Sequence, residues 1–273
     1  RTMVSLERID EILRQKRETD RENATMPDLR GDIVFDRVNF AYEEGGEVLR
    51  DLSFTIPAGK TVAFLGATGS GKSSIALLMQ RLYAPQSGRI TIGGHDIAQV
   101  ARKYLRARVG LVLQEPFLYS KTIYDNLRMA APEASQDMIT RAARDAQALD
   151  FIEQSEKGWQ TMVGERGVTL SGGQKQRAAI ARTLLKDNDI LIFDDSLSAV
   201  DTATDARIRE ALRQRSRDTT TIIISHRILT LAQADIIFVL EDGRISAQGS
   251  HEELISRPGL YQRIHHIQSG LED

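Results

Sequence analysis

A chain of 273 residues is long enough to bury a full core, as one large domain or two modest ones. It carries 36 Lys and Arg against 38 Asp and Glu, a formal net charge of −2 with no basic block, which argues against a nucleic-acid partner. There is no cysteine, so disulfides and thiol chemistry are excluded, and no apolar run approaches the roughly 18–20 residues that span a bilayer, so the stretch reads as a soluble globular piece without a signal-peptide core.

Near the start, Leu6, Ile9, Ile12 and Leu13 share one helical face, too small an apolar stripe to stand unpacked. Residues 14–27 are dense in mixed charges and read as a solvated linker. Residues 32–40 alternate like a half-buried strand, a turn signal at 43–47 follows, and 48–56 and 88–92 complete an expected antiparallel sheet. Residues 135–156 turn helical, which predicts a mostly helical segment over about 115–170. Short, continuously apolar runs at 190–193, 221–224 and 236–240 are strands of the kind covered on both faces by helices in a parallel sheet.

Between the early strands lies Gly66-Ala67-Thr68-Gly69-Ser70-Gly71-Lys72-Ser73-Ser74, which reads G-x-x-x-x-G-K-[ST]. Residues 60–65 before it are apolar and β-branched, while Ile75, Leu78, Met79 and Leu82 after it have helical spacing. A strand feeding a glycine-rich turn and then a helix is a phosphate cradle: glycines let backbone N–H groups converge, and the helix adds its positive end. Lys72 supplies a charge for the β- and γ-phosphates, and the Ser73 hydroxyl suits Mg²⁺. The pattern implies binding of a nucleoside triphosphate, and the expected fold is α/β: a P-loop NTPase core with a mostly parallel sheet flanked by helices, an N-terminal antiparallel β subdomain and a helical subdomain.

A second motif, Leu170-Ser171-Gly172-Gly173-Gln174, precedes a helical stretch running to about residue 186, with Ser171 as its N-cap. With the first loop, it makes residues 32–268 resemble the nucleotide-binding domain of ATP-binding cassette transporters. The resemblance implies ATP and Mg²⁺ as ligands. It also implies a role for each matching position. Tyr42 corresponds to the aromatic residue that stacks on adenine, and Gln114 to the glutamine that contacts Mg²⁺ and the attacking water. Asp194 ends the apolar strand that holds Mg²⁺, residues 198–201 match the loop that communicates between paired domains, and His226 matches the γ-phosphate contact. Ser171, Gly172, Gly173 and Gln174 match the signature that covers the ATP of a partner domain. The segments after Gln114 and at 164–167 resemble surfaces where exporters receive coupling helices from membrane domains. His95, His251, His265 and His266 show no metal-site spacing and read as structural.

One position departs from the family pattern. The usual glutamate after the strand aspartate is Asp195, one methylene shorter. A shortfall of about 1 Å can cost on the order of 10²-fold in rate, so ATP binding is expected and hydrolysis at this chain's own site is expected to be slow. An intact signature beside a weakened base resembles the degenerate-site half of a heterodimeric exporter, whose partner carries the glutamate; a homodimer in which Asp195 suffices is the alternative. On this reading residues 1–31 are a linker from a missing transmembrane domain, residues 32–273 are the ATPase domain, and the whole sits on the cytoplasmic face of a membrane. The rivals are a soluble cassette protein of translation or DNA repair and a module that binds ATP and dimerises with little turnover. The cargo stays open among drugs, lipids and peptides.

Overall fold

A computed structural model describes residues 10, 13–14, 18–43, 45–164, 169–215 and 218–270. The helix expected at 5–13 and the loop at 164–167 fall almost wholly outside the described residues. The first elements are β1 (Ile33–Ala41), β2 (Glu47–Ile56), β3 (Thr61–Gly66), α1 (Lys72–Met79), β4 (Ser87–Ile92) and β5 (His95–Asp96). Then come α2 (Arg102–Arg108), β6 (Val109–Val112), α3 (Ile123–Arg128), α4 (Gln136–Asp145), α5 (Leu149–Gln154) and α6 (Gly172–Leu184). The chain closes with β7 (Ile190–Asp194), α7 (Thr202–Arg215), β8 (Thr220–Ile224), α8 (Ile228–Leu231), β9 (Ile236–Glu241), β10 (Arg244–Gly249), α9 (His251–Ile255) and α10 (Leu260–Ser269).

Among the described residues these strands make two sheets. The first is antiparallel, in the order β2-β1-β4-β5. The second runs β10-β9-β3-β8-β7-β6, parallel throughout except for β10, which pairs antiparallel on the edge. Every residue of β7 is buried, as a strand covered on both faces requires. Phe54 of β2 joins the sheets: its ring meets Phe64 of β3 at 5.4 Å and Phe238 of β9 at 5.1 Å. Such ring pairs add about 0.5–1.5 kcal/mol each beyond the area they bury.

Within 115–170 the chain forms the three short helices α3, α4 and α5. α3, α4 and α5 share an apolar cluster with α6, through Ile139, Ala142, Phe151 and Ile152 against Ala178, Ala179 and Ile180. Side-chain caps start three of these helices: Thr122 accepts from the Asp125 N–H, Ser135 from the Met138 N–H and Ser171 from the Gln174 N–H. α1 stops at Met79, so Leu82 is not on its buried face and is instead 43% exposed.

Over its described part, the charged stretch before β1 is docked on the fold rather than solvated. Thr25 pairs with Val100 in an isolated parallel bridge, and the Tyr104 hydroxyl donates to the Pro27 carbonyl at 2.8 Å. Glu18 receives both terminal nitrogens of Arg106, at 2.7 and 2.8 Å, and Asp20 accepts from Arg102. Arg106 also donates to the carbonyls of Gln80 and Arg81, just past α1. Mixed charge reads as solvated from sequence because the arginines it meets lie some 80 residues further on.

Candidate functional site

The glycine-rich loop leaves the C-terminal end of β3, a buried strand between β8 and β9. At Gly66 a Cβ would lie 2.3 Å from the Leu240 carbonyl oxygen and 2.6 Å from Ser70 Oγ, so the loop can turn only with glycine there. Gly71 is the N-cap of α1 with φ 103°, and a Cβ on it would meet Leu49 Cδ2 at 2.5 Å. Gly69 also has positive φ, at 83°, with open space around its Cα. No side chain caps α1, and its first turn holds no acid, which leaves its leading N–H groups to an anion.

Lys72 is 6% exposed, and its ammonium donates to the Gly66 and Ala67 carbonyls at 2.7 Å each. Burial lowers its pKa, and the charges of Asp194 and Asp195 work against that shift. Beside it, the Ser73 hydroxyl donates to Asp194 Oδ1 at 3.0 Å, linking the loop to the last residue of β7. Ser74 Oγ lies 2.9 Å from the Tyr42 hydroxyl. Tyr42 packs edge-on against Phe40 at 4.8 Å and Tyr83 at 5.1 Å, which gives an aromatic surface at the mouth of the loop.

Asp195 has φ 45°, a left-handed conformation that Asp enters more readily than most side chains. Its N–H donates to the Ile224 carbonyl at 2.8 Å, and its Oδ2 accepts from Gln114 Nε2 at 3.3 Å. Asp195 Oδ1 is buried with no hydrogen-bond partner. Burial pushes the pKa of Asp194 and of Asp195 up, while His226 and Lys72 draw both back down. Burial disfavours the charged form of both groups, and a cation beside them would offset that cost. Ser73, Asp194, Asp195 and Gln114 offer hard oxygen donors of the kind Mg²⁺ takes. Among the described residues no group of three or more His, Cys, Asp or Glu is placed to hold a metal.

The signature residues stand apart from this network. Ser171 and Gln174 form a reciprocal capping box, Gln174 N to Ser171 Oγ at 3.2 Å and Ser171 N to Gln174 Oε1 at 2.9 Å. Ser171 and Gly172 are exposed. Among the described residues, no hydrogen bond joins 171–174 to 66–74. Gly173 does approach the loop at 198–201: a Cβ on it would lie 3.0 Å from the Ala199 carbonyl oxygen. That loop is tied to Asp195, whose carbonyl accepts from Ser198 Oγ at 2.7 Å. His226 is exposed, two residues past the end of β8.

Two residues absent from the sequence reading tie these parts together. Gln176 is buried on α6 and donates to the carbonyls of Leu113 and Gln114, at 3.2 and 3.0 Å. Its signal was a polar residue on the helix face that also carries Ala179 and Ile180. Arg227 donates to the Val200 carbonyl at 3.0 Å, so the residue after His226 braces the 198–201 loop. Nothing in the local sequence announces that contact.

Comparison with known proteins gives the following. The ABC transporter family model matches residues 49–198. The chain is 45% identical over 243 residues to an uncharacterized ABC transporter ATP-binding protein of Sinorhizobium fredii, covering 89% of this chain and 42% of that protein. It is 43% identical over 272 residues to the ATP-dependent lipid A-core flippase of Pectobacterium atrosepticum, covering 99% and 47%. To the beta-(1-->2)glucan export ATP-binding/permease protein NdvA of Rhodopseudomonas palustris it is 44% identical over 245 residues, covering 90% and 41%. A solved bacterial Atm1-family ABC exporter with ATP bound matches with a TM-score of 0.92 and 42% identity, over 97% of this chain and 47% of that one. The chain thus spans less than half the length of these relatives.

Proposed function

The chain belongs to the ABC transporter family, and from that premise we propose that it works as the ATP-hydrolysing motor domain of a membrane exporter, closing with a second such domain around bound ATP. The observation that carries this is the part-buried hydrogen bond from Ser73 to Asp194, which joins the glycine-rich loop to the end of the acid strand.

In this reading the N–H groups of residues 68–74 and the Lys72 ammonium bind the β- and γ-phosphates, and the Tyr42 ring stacks on adenine. Lys72 now bonds to its own loop carbonyls, so it has to exchange those partners for phosphate oxygens. Ser73, Asp194 and Gln114 hold Mg²⁺, which supplies charge neutralisation at the phosphates. Asp195 accepts a proton from the attacking water, with Gln114 orienting it and His226 contacting the γ-phosphate. The raised pKa of Asp195 makes it a better base than a free aspartate, yet its reach is short. Its ionised fraction falls as pH drops through that raised pKa, so the acid limb of the rate profile lies above the ordinary aspartate range.

Ser171, Gly172, Gly173 and Gln174 cover the ATP of the partner domain; the exposure of Ser171 and Gly172 and the lack of bonds from 171–174 to 66–74 support this. The partner carries glutamate where this chain has Asp195, which makes the pair a heterodimer. Exposed Leu113, Phe117, Tyr119 and Met129 near Gln114 support docking of coupling helices from a transmembrane domain, at the cytoplasmic face of a membrane. Residues 1–31 are the linker to that domain, and residues 32–273 the ATPase domain. Asp195 also favours a second reading, an ATP-dependent interaction module with little turnover of its own.

Steady-state ATPase assays separate these readings. The account expects slow turnover by this chain alone and a large rise when a glutamate-bearing partner is added. Ordinary family rates from the chain alone refute the degenerate site; no rise with the partner leaves the interaction module.

A further inference from the structure

His226 stands at the head of a short segment whose main chain is held from elsewhere in the fold. α8 begins after Arg227, its N-cap, and no side chain of the segment caps it. The N–H of Ile228 donates instead to Gln268 Oε1 at 2.8 Å, from α10. The same side chain returns a bond, Nε2 to the His226 carbonyl at 2.6 Å. One amide therefore grips the peptide groups on both sides of Arg227, which requires an acceptor and a donor on a single side chain. α10 is a firm base for this grip. Its Tyr261 is 2% exposed, packs with Leu254 and Ile237, and its hydroxyl lies 2.8 Å from His251 Nδ1.

We infer that Gln268 is a positioning residue: it fixes the main chain of His226 and so sets how well the imidazole meets the terminal phosphate of ATP. The inference rests on the proposed role of His226 and carries that role to the far end of the chain. Arg227, braced on Val200, holds the segment from the other side, so the C-terminal helix and the 198–201 loop grip the same three residues. Gln268 is exposed, so water competes for its bonds and the effect is graded rather than total.

The test is calorimetric titration of the 273-residue chain with Mg²⁺ and a non-hydrolysable ATP analogue, and separately with ADP. Wild type, Gln268→Leu, Gln268→Glu and His226→Ala are compared. Gln268→Glu keeps length and acceptor but loses the donor, and it places a carboxylate against the His226 carbonyl. Losing bonds worth about 1 kcal/mol predicts that both Gln268 variants weaken the ATP analogue by roughly fivefold, in the direction of His226→Ala, and leave ADP within about twofold. Thermal melting of each variant identifies any that fails to fold, and the other Gln268 variant then decides. An unchanged ratio of ATP to ADP affinity, or equal loss of both, overturns the inference. Wild type that discriminates through His226 while the Gln268 variants match it defeats the inference alone. Wild type that binds neither nucleotide defeats the parent reading and this inference together.

Discussion

The phosphate pocket and the signature loop are built on opposite principles. The pocket is wired within the chain: Lys72 onto its loop, Ser73 onto Asp194, Gln114 onto Asp195. The signature loop is satisfied by its own capping box, with Ser171 and Gly172 exposed. A polar network within the chain commits its members to each other, whereas a self-capped helix start keeps its outer face free for a ligand brought by another molecule. Under the proposed function that difference amounts to two half-sites, one to grip a nucleotide and one to await the nucleotide of a partner.

The pocket side breaks first at its base. Asp195→Glu extends the carboxylate toward the attacking water, and turnover rises by about 10²-fold if reach alone is limiting. Because residue 195 has φ 45°, which costs glutamate more than aspartate, the same variant melts lower, by about 2–4 °C for a penalty near 1 kcal/mol. No gain in ATPase rate means that something besides reach is missing. Ser171→Arg strikes the other half-site. It is expected to leave Mg-ATP binding by the single chain unchanged and to abolish ATP-driven pairing, read by light scattering; a loss of nucleotide binding erases the distinction between the halves.

Asp194→Asn sharpens the electrostatic contrast. Burial raises the Asp194 pKa, so the group stabilises the fold only below its unfolded pKa and loses that contribution as pH rises through the folded value. A neutral amide at pH 7 removes the penalty, and the nucleotide-free chain melts about 2–4 °C higher while ATP binding loses its Mg²⁺ dependence. The smallest effect belongs to Glu18→Gln. Arg106 lowers the Glu18 pKa, so that ion pair stabilises above the unfolded carboxylate pKa and fails as pH falls through the folded one. The pair is half exposed, so the loss is under about 1 kcal/mol in chemical denaturation and shrinks further in salt.

Much of this was legible in order along the chain. Apolar runs became the parallel strands β7, β8 and β9 because continuous burial writes itself into composition. The glycine positions were legible because backbone contacts at Gly66 and Gly71 leave no room for a side chain. β6 and β10 were not read: β6 is four residues long, and β10 is an edge strand with mostly exposed side chains. The ties made by Gln176, Arg227 and Gln268 run from side chains to distant carbonyls and N–H groups, which no local pattern encodes. The docking of Glu18 and Asp20 was hidden for the same reason, since a charge run looks alike whether it meets water or three arginines.

The central claim is that residues 66–74 grip ATP through Lys72. Titration calorimetry with Mg-ATP on the wild-type chain and on Lys72→Ala tests it most directly. The account predicts a saturable heat for wild type and its loss in the variant. No heat from wild type, or the same heat from both, contradicts it.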